Sequence, residues 1–306
     1  MTLSEFKIGE QKKAPLLSVI VASLNQVKYL TDFIEGWKSQ TFQDFEIIVI
    51  DSFSTDGSIE ILSSYDKVKL ITKKCSSSEA YLFALTCAVG KYLMIGTTSD
   101  FLCSRRWAER AIESLESDDE LSMVWSSGIH VDQDGIFESI YAQSYLIKPP
   151  PIKNNYLPYW AFNPYVPELC YCVVTTVYRE CLSVFLEPKI LPVNFLPNFC
   201  YEFTSRGYMQ AYISDVVFAG RTHPGQLREV NYVGDDISSC SVRKIQKQFL
   251  ARLFFSNQFF WFKNRYGENK YFVNNLDKIG IFCKILELYF LKWFVRIPRA
   301  ISNRIY

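Results

Sequence analysis

The sequence predicts an α/β fold over residues 16–225, a mostly parallel sheet with helices on both faces, followed by a helical appendage at 226–306. Short apolar, β-branched runs alternate with segments of helical period over short connections, the pattern of strands laid side by side with crossover helices. Three of these runs end on polar residues, Asn25, Asp51 and Asp100. Ligands of parallel sheets bind at those carboxyl ends. After Gly225 the chain turns aromatic and basic.

Leu17 to Ala22 is a continuous apolar run, as expected of a strand buried on both faces. Tyr29 to Ser39 carries Leu30, Phe33, Ile34 and Trp37 at three- and four-residue spacing and reads as an amphipathic helix. Phe45 to Ile50 is the second strand and closes on Asp51. Ser54 to Ser58 has the chemistry of a turn and a helix cap, and a helix starts at Ile59. Val68 to Thr72 is a third strand, Ser78 to Val89 a helix stopped by Gly90, and Tyr92 to Ile95 a fourth strand running into Thr97, Thr98, Ser99 and Asp100. A helix over Arg106 to Ser117 and a strand over Leu121 to Ile129 follow. Asp132 to Pro167 is a loop-rich stretch of proline, asparagine and aromatics. Its tyrosines and tryptophan either stack on an acceptor or staple the loop.

A net charge of +1 over 306 residues gives no pull toward nucleic acid. The nine cysteines form no CxxC pair and only two histidines accompany them, so no zinc site is expected and the thiols are read as reduced, in a cytoplasmic protein. Cys170 and Cys172 sit one residue apart on a strand and should face opposite sides. Residues 1–15 form a polar arm without the apolar core of a signal peptide, and no run is long and apolar enough to span a membrane.

The stretch from Leu17 through Asn25, then Ser39-Gln40-Thr41 through Asp51, then Ser54-Thr55-Asp56-Gly57-Ser58 resembles the opening of a family 2 glycosyltransferase. Gly90 to Asp100 is similar to the family strand that ends in a metal-binding acidic motif. Gly207-Tyr208 and Arg221-Thr222-His223-Pro224-Gly225 are similar to the family's closing elements. The resemblance implies a GT-A, Rossmann-like domain over 16–225. It also implies a nucleotide-sugar donor, UDP- or GDP-linked, a glycan or lipid-linked acceptor, and a place in cell-surface polysaccharide synthesis. It further implies Mg²⁺ or Mn²⁺, since a departing diphosphate needs its charge neutralised by an ion on hard carboxylate oxygens.

By the same resemblance Asp100 would hold the metal, and Ser23, Asn25 and Asp51 would form the nucleotide site. Asp51 would accept hydrogen bonds from base or ribose, and Asn25 would chiefly fix its loop. His223 would complete the metal shell, touch phosphate, or serve as a structural histidine.

The departures are equally specific. Ser52 and Phe53 stand where the family has a second acid or Asp-Gly, and Ser99 precedes Asp100 where two carboxylates are usual. Leu196 and Asn198 occupy the positions of the expected catalytic base, leaving Glu202 as the nearest acid. A glycosyltransferase-like module that binds without catalysis is therefore the alternative. A nucleotidyltransferase would need a glycine-rich basic loop after the first strand, and Ser23-Leu24-Asn25-Gln26 is not one. In the appendage, residues 278–304 place Lys278, Lys284, Glu287, Lys292, Arg296, Arg299 and Arg304 largely on one side of an expected helix, a pattern suited to the inner face of an anionic membrane.

Overall fold

The structure, a computed structural model, describes residues 13–140, 153–154, 170–183, 199–200, 202–203, 206–224 and 261–272. The polar arm up to residue 12, the proline- and aromatic-rich loop, Leu196, Asn198, Gly225, Cys240, Cys283 and the cationic 278–304 segment lie outside the described residues.

The first half of the chain follows the expected alternation. Strands β1 (Leu17–Ser23), β2 (Phe45–Asp51), β3 (Val68–Thr72) and β4 (Tyr92–Thr97) are linked by helices α1 (Leu30–Lys38), α2 (Ser58–Ser63) and α3 (Ser77–Cys87). They pair in parallel in the order β3-β2-β1-β4, with Ser23 beside Asp51 and Ala22 beside Thr97. Val19, Ile20, Val21, Ile47, Ile48 and Val49 are fully buried, so both faces of these strands are covered. That explains why they read as unbroken apolar runs rather than alternating ones.

Close packing fixes particular residues. A Cβ on Gly90 would lie 2.5 Å from the backbone nitrogen of Ser18, so the chain passes β1 there only without a side chain. The Gly90 N–H donates to Ser18 Oγ at 2.8 Å. Gln40 at the end of α1 donates to the carbonyls of Gly36 and Ser104 and accepts from Ala108 N–H, tying α1 to the start of α4 (Trp107–Ser117). The Ser-Gln-Thr helix end is thus a structural clamp.

Beyond β4 the sheet continues through β5 (Phe101–Leu102), β6 (Leu121–Val131), β7 (Phe137–Ile140), β8 (Lys153–Asn154), β9 (Tyr171–Val174) and β10 (Met209–Arg221). Strand β9 runs antiparallel between β4 and β6, while β10 runs parallel to β6. Cys170 and Cys172 are both fully buried because both faces are covered here too, and they are free thiols. The long β10 slips register between Tyr212 and Val216, where Ser126 Oγ lies 2.7 Å from the carbonyl oxygens of Ile213 and Asp215. Helix α5 (Thr175–Leu182) follows β9, and Arg179 donates to the carbonyls of Leu85 and Ala88 at the end of α3.

Within 226–306, expected to be helical, the described residues 261–272 are strand and turn. Trp261–Lys263 (β11) and Asn269–Phe272 (β12) pair as an antiparallel hairpin. In its turn Gly267 takes φ 83. Arg265 is buried and donates to the carbonyls of Leu115, Asp118 and Asp119 and to the Tyr92 hydroxyl. It caps the open end of α4, whose last carbonyls have no partner within the helix.

Candidate nucleotide-sugar site

The carboxyl ends of β1, β2 and β4 lie side by side, and the loops after β1 and β2 are stitched together. Asn25 N–H donates to Ser54 Oγ at 2.8 Å and Gln26 N–H to Ser58 Oγ at 3.0 Å. Val27 N–H donates to Asp56 Oδ2 at 2.9 Å, and Thr55 N–H returns to Asn25 Oδ1 at 2.9 Å. Asn25 adopts φ 51, a left-handed conformation that asparagine tolerates. The expected loop-fixing role of Asn25 is visible in this geometry.

Asp51 is fully buried. Its Oδ1 accepts from Ser54 N–H at 2.7 Å and its Oδ2 from Ser54 Oγ at 2.6 Å. The carboxylate therefore faces its own turn rather than the crevice. Asp56 accepts from Ser58 N–H and Oγ, and these bonds and that from Val27 carry its carboxyl below the ordinary value against the opposing effect of burial. Ser23, beside Asp51, is buried with a hydroxyl that has no hydrogen-bond partner among the described residues. An unsatisfied hydroxyl at a strand end is available to a polar ligand atom.

Asp100 closes the loop after β4 and is buried. Its Oδ2 accepts from Thr97 Oγ1, and its Oδ1 accepts from Arg221 N–H at 2.7 Å, with Ser99 Oγ at 3.5 Å. Burial pushes its carboxyl up to about 6, and the bonds from Thr97 and Arg221 and the arginine charge offset only part of that rise. The Arg221 guanidinium pairs with Asp32 at 2.6 Å and lies over the rings of Tyr29 and Phe101. His223 packs on Tyr29 with ring centroids 4.7 Å apart, and its Nδ1 lies 3.0 Å from the Pro224 carbonyl. Asp100, Arg221 and His223 thus come together at one rim of the sheet.

A divalent ion needs several hard donors converging on one point. Asp100 is a single carboxylate with both oxygens engaged, flanked by the neutral hydroxyls of Thr97 and Ser99. Among the described residues no three His, Cys, Asp or Glu side chains gather into a set that would hold a metal. The described residues by themselves do not form a donor set for the expected Mg²⁺ or Mn²⁺.

Glu202 does not join this rim. It pairs with Arg206 at 3.1 Å, and Arg206 also pairs with Glu180 at 2.8 Å. The Tyr208 hydroxyl donates to Glu180, and Tyr208 leads directly into Met209, the first residue of β10. Arg221 ends the same strand at Asp100. At roughly 3.3 Å per residue the two ends of such a strand lie tens of ångströms apart. Asp32 and Tyr29 were not anticipated, and only Arg221 carried a signal, as the first residue of the Arg-Thr-His-Pro-Gly element.

Residues 18–162 match Glycosyl transferase family 2. An uncharacterized glycosyltransferase of Haemophilus influenzae is 29% identical over 182 residues, 57% of this chain and 56% of that protein. The chain spans about half the length of the curated relatives it matches. Among solved structures, S. aureus TarS with UDP-GlcNAc superposes with a TM-score of 0.56 at 17% identity, covering 78% of this chain and 73% of that one. The mannosyltransferase PcManGT of Pyrobaculum calidifontis, with GDP-Man and Mn²⁺, gives 0.51 at 15% identity, covering 81% and 77%. These structures share the GT-A fold. With the parallel order β3-β2-β1-β4 in place, residues 18–162 match a family 2 glycosyltransferase domain, and the described residues share the fold of these structures.

Proposed function

We propose that the protein is a glycosyltransferase that moves a sugar from a UDP- or GDP-linked donor to a hydroxyl of a glycan or lipid-linked glycan. The observation that carries this reading is the adjacency of three polar strand ends, those of β1, β2 and β4, within the family-matched segment. In this reading the stitched loops of Asn25 and Ser54 receive the nucleotide, with Ser23 Oγ turned to it. Asp51 acts from beneath by holding the Ser54 turn. Asp100 orders the rim at which the sugar and diphosphate lie, joined there by Arg221 and His223.

The reaction would be a displacement at the anomeric carbon with inversion. The acceptor oxygen forms the new bond, the nucleoside diphosphate departs with the electron pair, and a base takes the acceptor proton. The family similarity and the likeness to nucleotide-sugar complexes support the donor class.

A second reading is favoured by the position of Glu202, paired with Arg206 near the opening of β10. A chain without a base beside Asp100 would bind nucleotide or glycan and not turn it over. The test is a panel of UDP- and GDP-sugars incubated with the full chain, following release of the nucleoside diphosphate in wild type and Asp100→Ala. Release that is lost in the variant supports transfer. Binding with no release from any donor, with or without added glycan acceptors, supports the second reading.

A further inference from the structure

Two residues other than glycine adopt positive φ among the described residues, and they follow adjacent strands: Asn25 at φ 51 after β1 and Phe53 at φ 62 after β2. Asparagine enters this region at little cost, but a bulky side chain there is an outlier. The Phe53 side chain gains nothing from burial in exchange, since the residue is 56% exposed. Neither backbone preference nor core packing accounts for a phenylalanine at this position.

Its mount is rigid. Asp51 holds Ser54 from below through two hydrogen bonds, and Ser54 Oγ receives the N–H of Asn25 from the neighbouring loop. Ser52 Oγ lies 3.1 Å from the Cys75 carbonyl oxygen, anchoring the residue before Phe53 to the segment after β3. The polar groups of the turn are thus spent inward. What it presents outward is an aromatic ring at the carboxyl edge of β2, with Leu24, 50% exposed, in the neighbouring loop after β1. Backbone strain held in place by surrounding hydrogen bonds is the kind that persists at ligand sites.

We propose that Phe53 is the stacking face for the nucleobase of the donor. The inference rests on the nucleotide-sugar reading and adds to it how the base is bound. With the Asp51 carboxylate turned away, recognition at this point is through the flat face of the base rather than its hydrogen-bonding edge. Every base offers such a face, so stacking tolerates different bases, and a larger purine overlaps the ring more fully than a pyrimidine.

The test uses the full chain as wild type, Phe53→Gly and Phe53→Trp, measuring UDP and GDP affinity by titration calorimetry and Tm by thermal unfolding. Glycine suits a left-handed backbone, so Phe53→Gly should raise Tm while weakening both nucleotides about tenfold or more, the loss expected when one base–aromatic stack is removed. Phe53→Trp should keep the affinity. Wild type should bind GDP more tightly than UDP, and the preference should shrink in Phe53→Gly. Wild-type affinity for both nucleotides in Phe53→Gly overturns the stacking role and leaves the nucleotide-sugar reading standing. A wild type that binds neither UDP nor GDP overturns both.

Discussion

The backbone N–H of Arg221 donates to Asp100 Oδ1 at 2.7 Å, so the last residue of β10 is fastened to the loop that closes β4. This bond spans 121 positions of sequence and joins the end of β10 to the acidic residue that follows β4. It also leaves Asp100 buried beneath its partners rather than open to solvent.

Burial raises the Asp100 carboxyl from its ordinary 3.8 to about 6. Between those values the unfolded chain has released a proton that the folded chain keeps, so stability falls as pH rises through this window and stays lower above it. Asp100→Asn removes that cost. The variant should be more stable than wild type near pH 7 by about 1–3 kcal/mol, with the gap closing toward pH 4. Urea unfolding at a series of pH values measures it, and a gap that is flat with pH would contradict the assignment.

Arg265 donates to three backbone carbonyls at the end of α4 and to the Tyr92 hydroxyl. Arg265→Ala removes all of these side-chain bonds, including the one to the buried Leu115 carbonyl, and should lower stability by about 1–3 kcal/mol. Hydrogen exchange should quicken at the last turn of α4 and at residues 264–268. A variant with wild-type exchange there would show that the hairpin is held by other contacts.

Gly90→Ala should destabilise by about 1–3 kcal/mol, because its Cβ would press on the backbone of Ser18 at 2.5 Å. Denaturant midpoints of the two proteins report the difference directly.

Glu202→Gln should leave donor turnover nearly unchanged while lowering Tm, since Glu202 pairs with Arg206 close to the start of β10. Loss of turnover with an unchanged Tm would instead make Glu202 the base. In the same assay, nucleotide affinity in EDTA should match that in Mn²⁺, because among the described residues no three His, Cys, Asp or Glu side chains gather to hold a metal. A strong dependence on Mn²⁺ would show that ligand binding assembles a cation site.

The parallel half of the fold was legible because its strands are buried on both faces and therefore spelled as uninterrupted apolar runs, such as Val19 to Val21 and Ile47 to Ile50. The positions of Asn25, Asp51 and Asp100 followed from the ends of those runs. Their side-chain directions did not. An aspartate at a strand end reads the same whether it meets a ligand or its own turn, and Ser54 decides the matter for Asp51. Glu202 is near the Gly207-Tyr208 element in sequence, but β10 is long enough to carry its two ends to opposite sides of the domain. In the appendage, expected to be helical over 226–306, the turn at Asn264 to Glu268 with Gly267 directs a hairpin at the described residues 261–272.

The central claim is that donor binds at the joined carboxyl ends of β1, β2 and β4. Hydrogen–deuterium exchange of the full chain with and without a saturating UDP- or GDP-sugar tests it most directly. Protection should appear at residues 23–27, 51–58 and 97–100 and be absent at 202–208 and 264–268. Protection confined to the latter segments, with the strand ends exchanging as in the free protein, would contradict it.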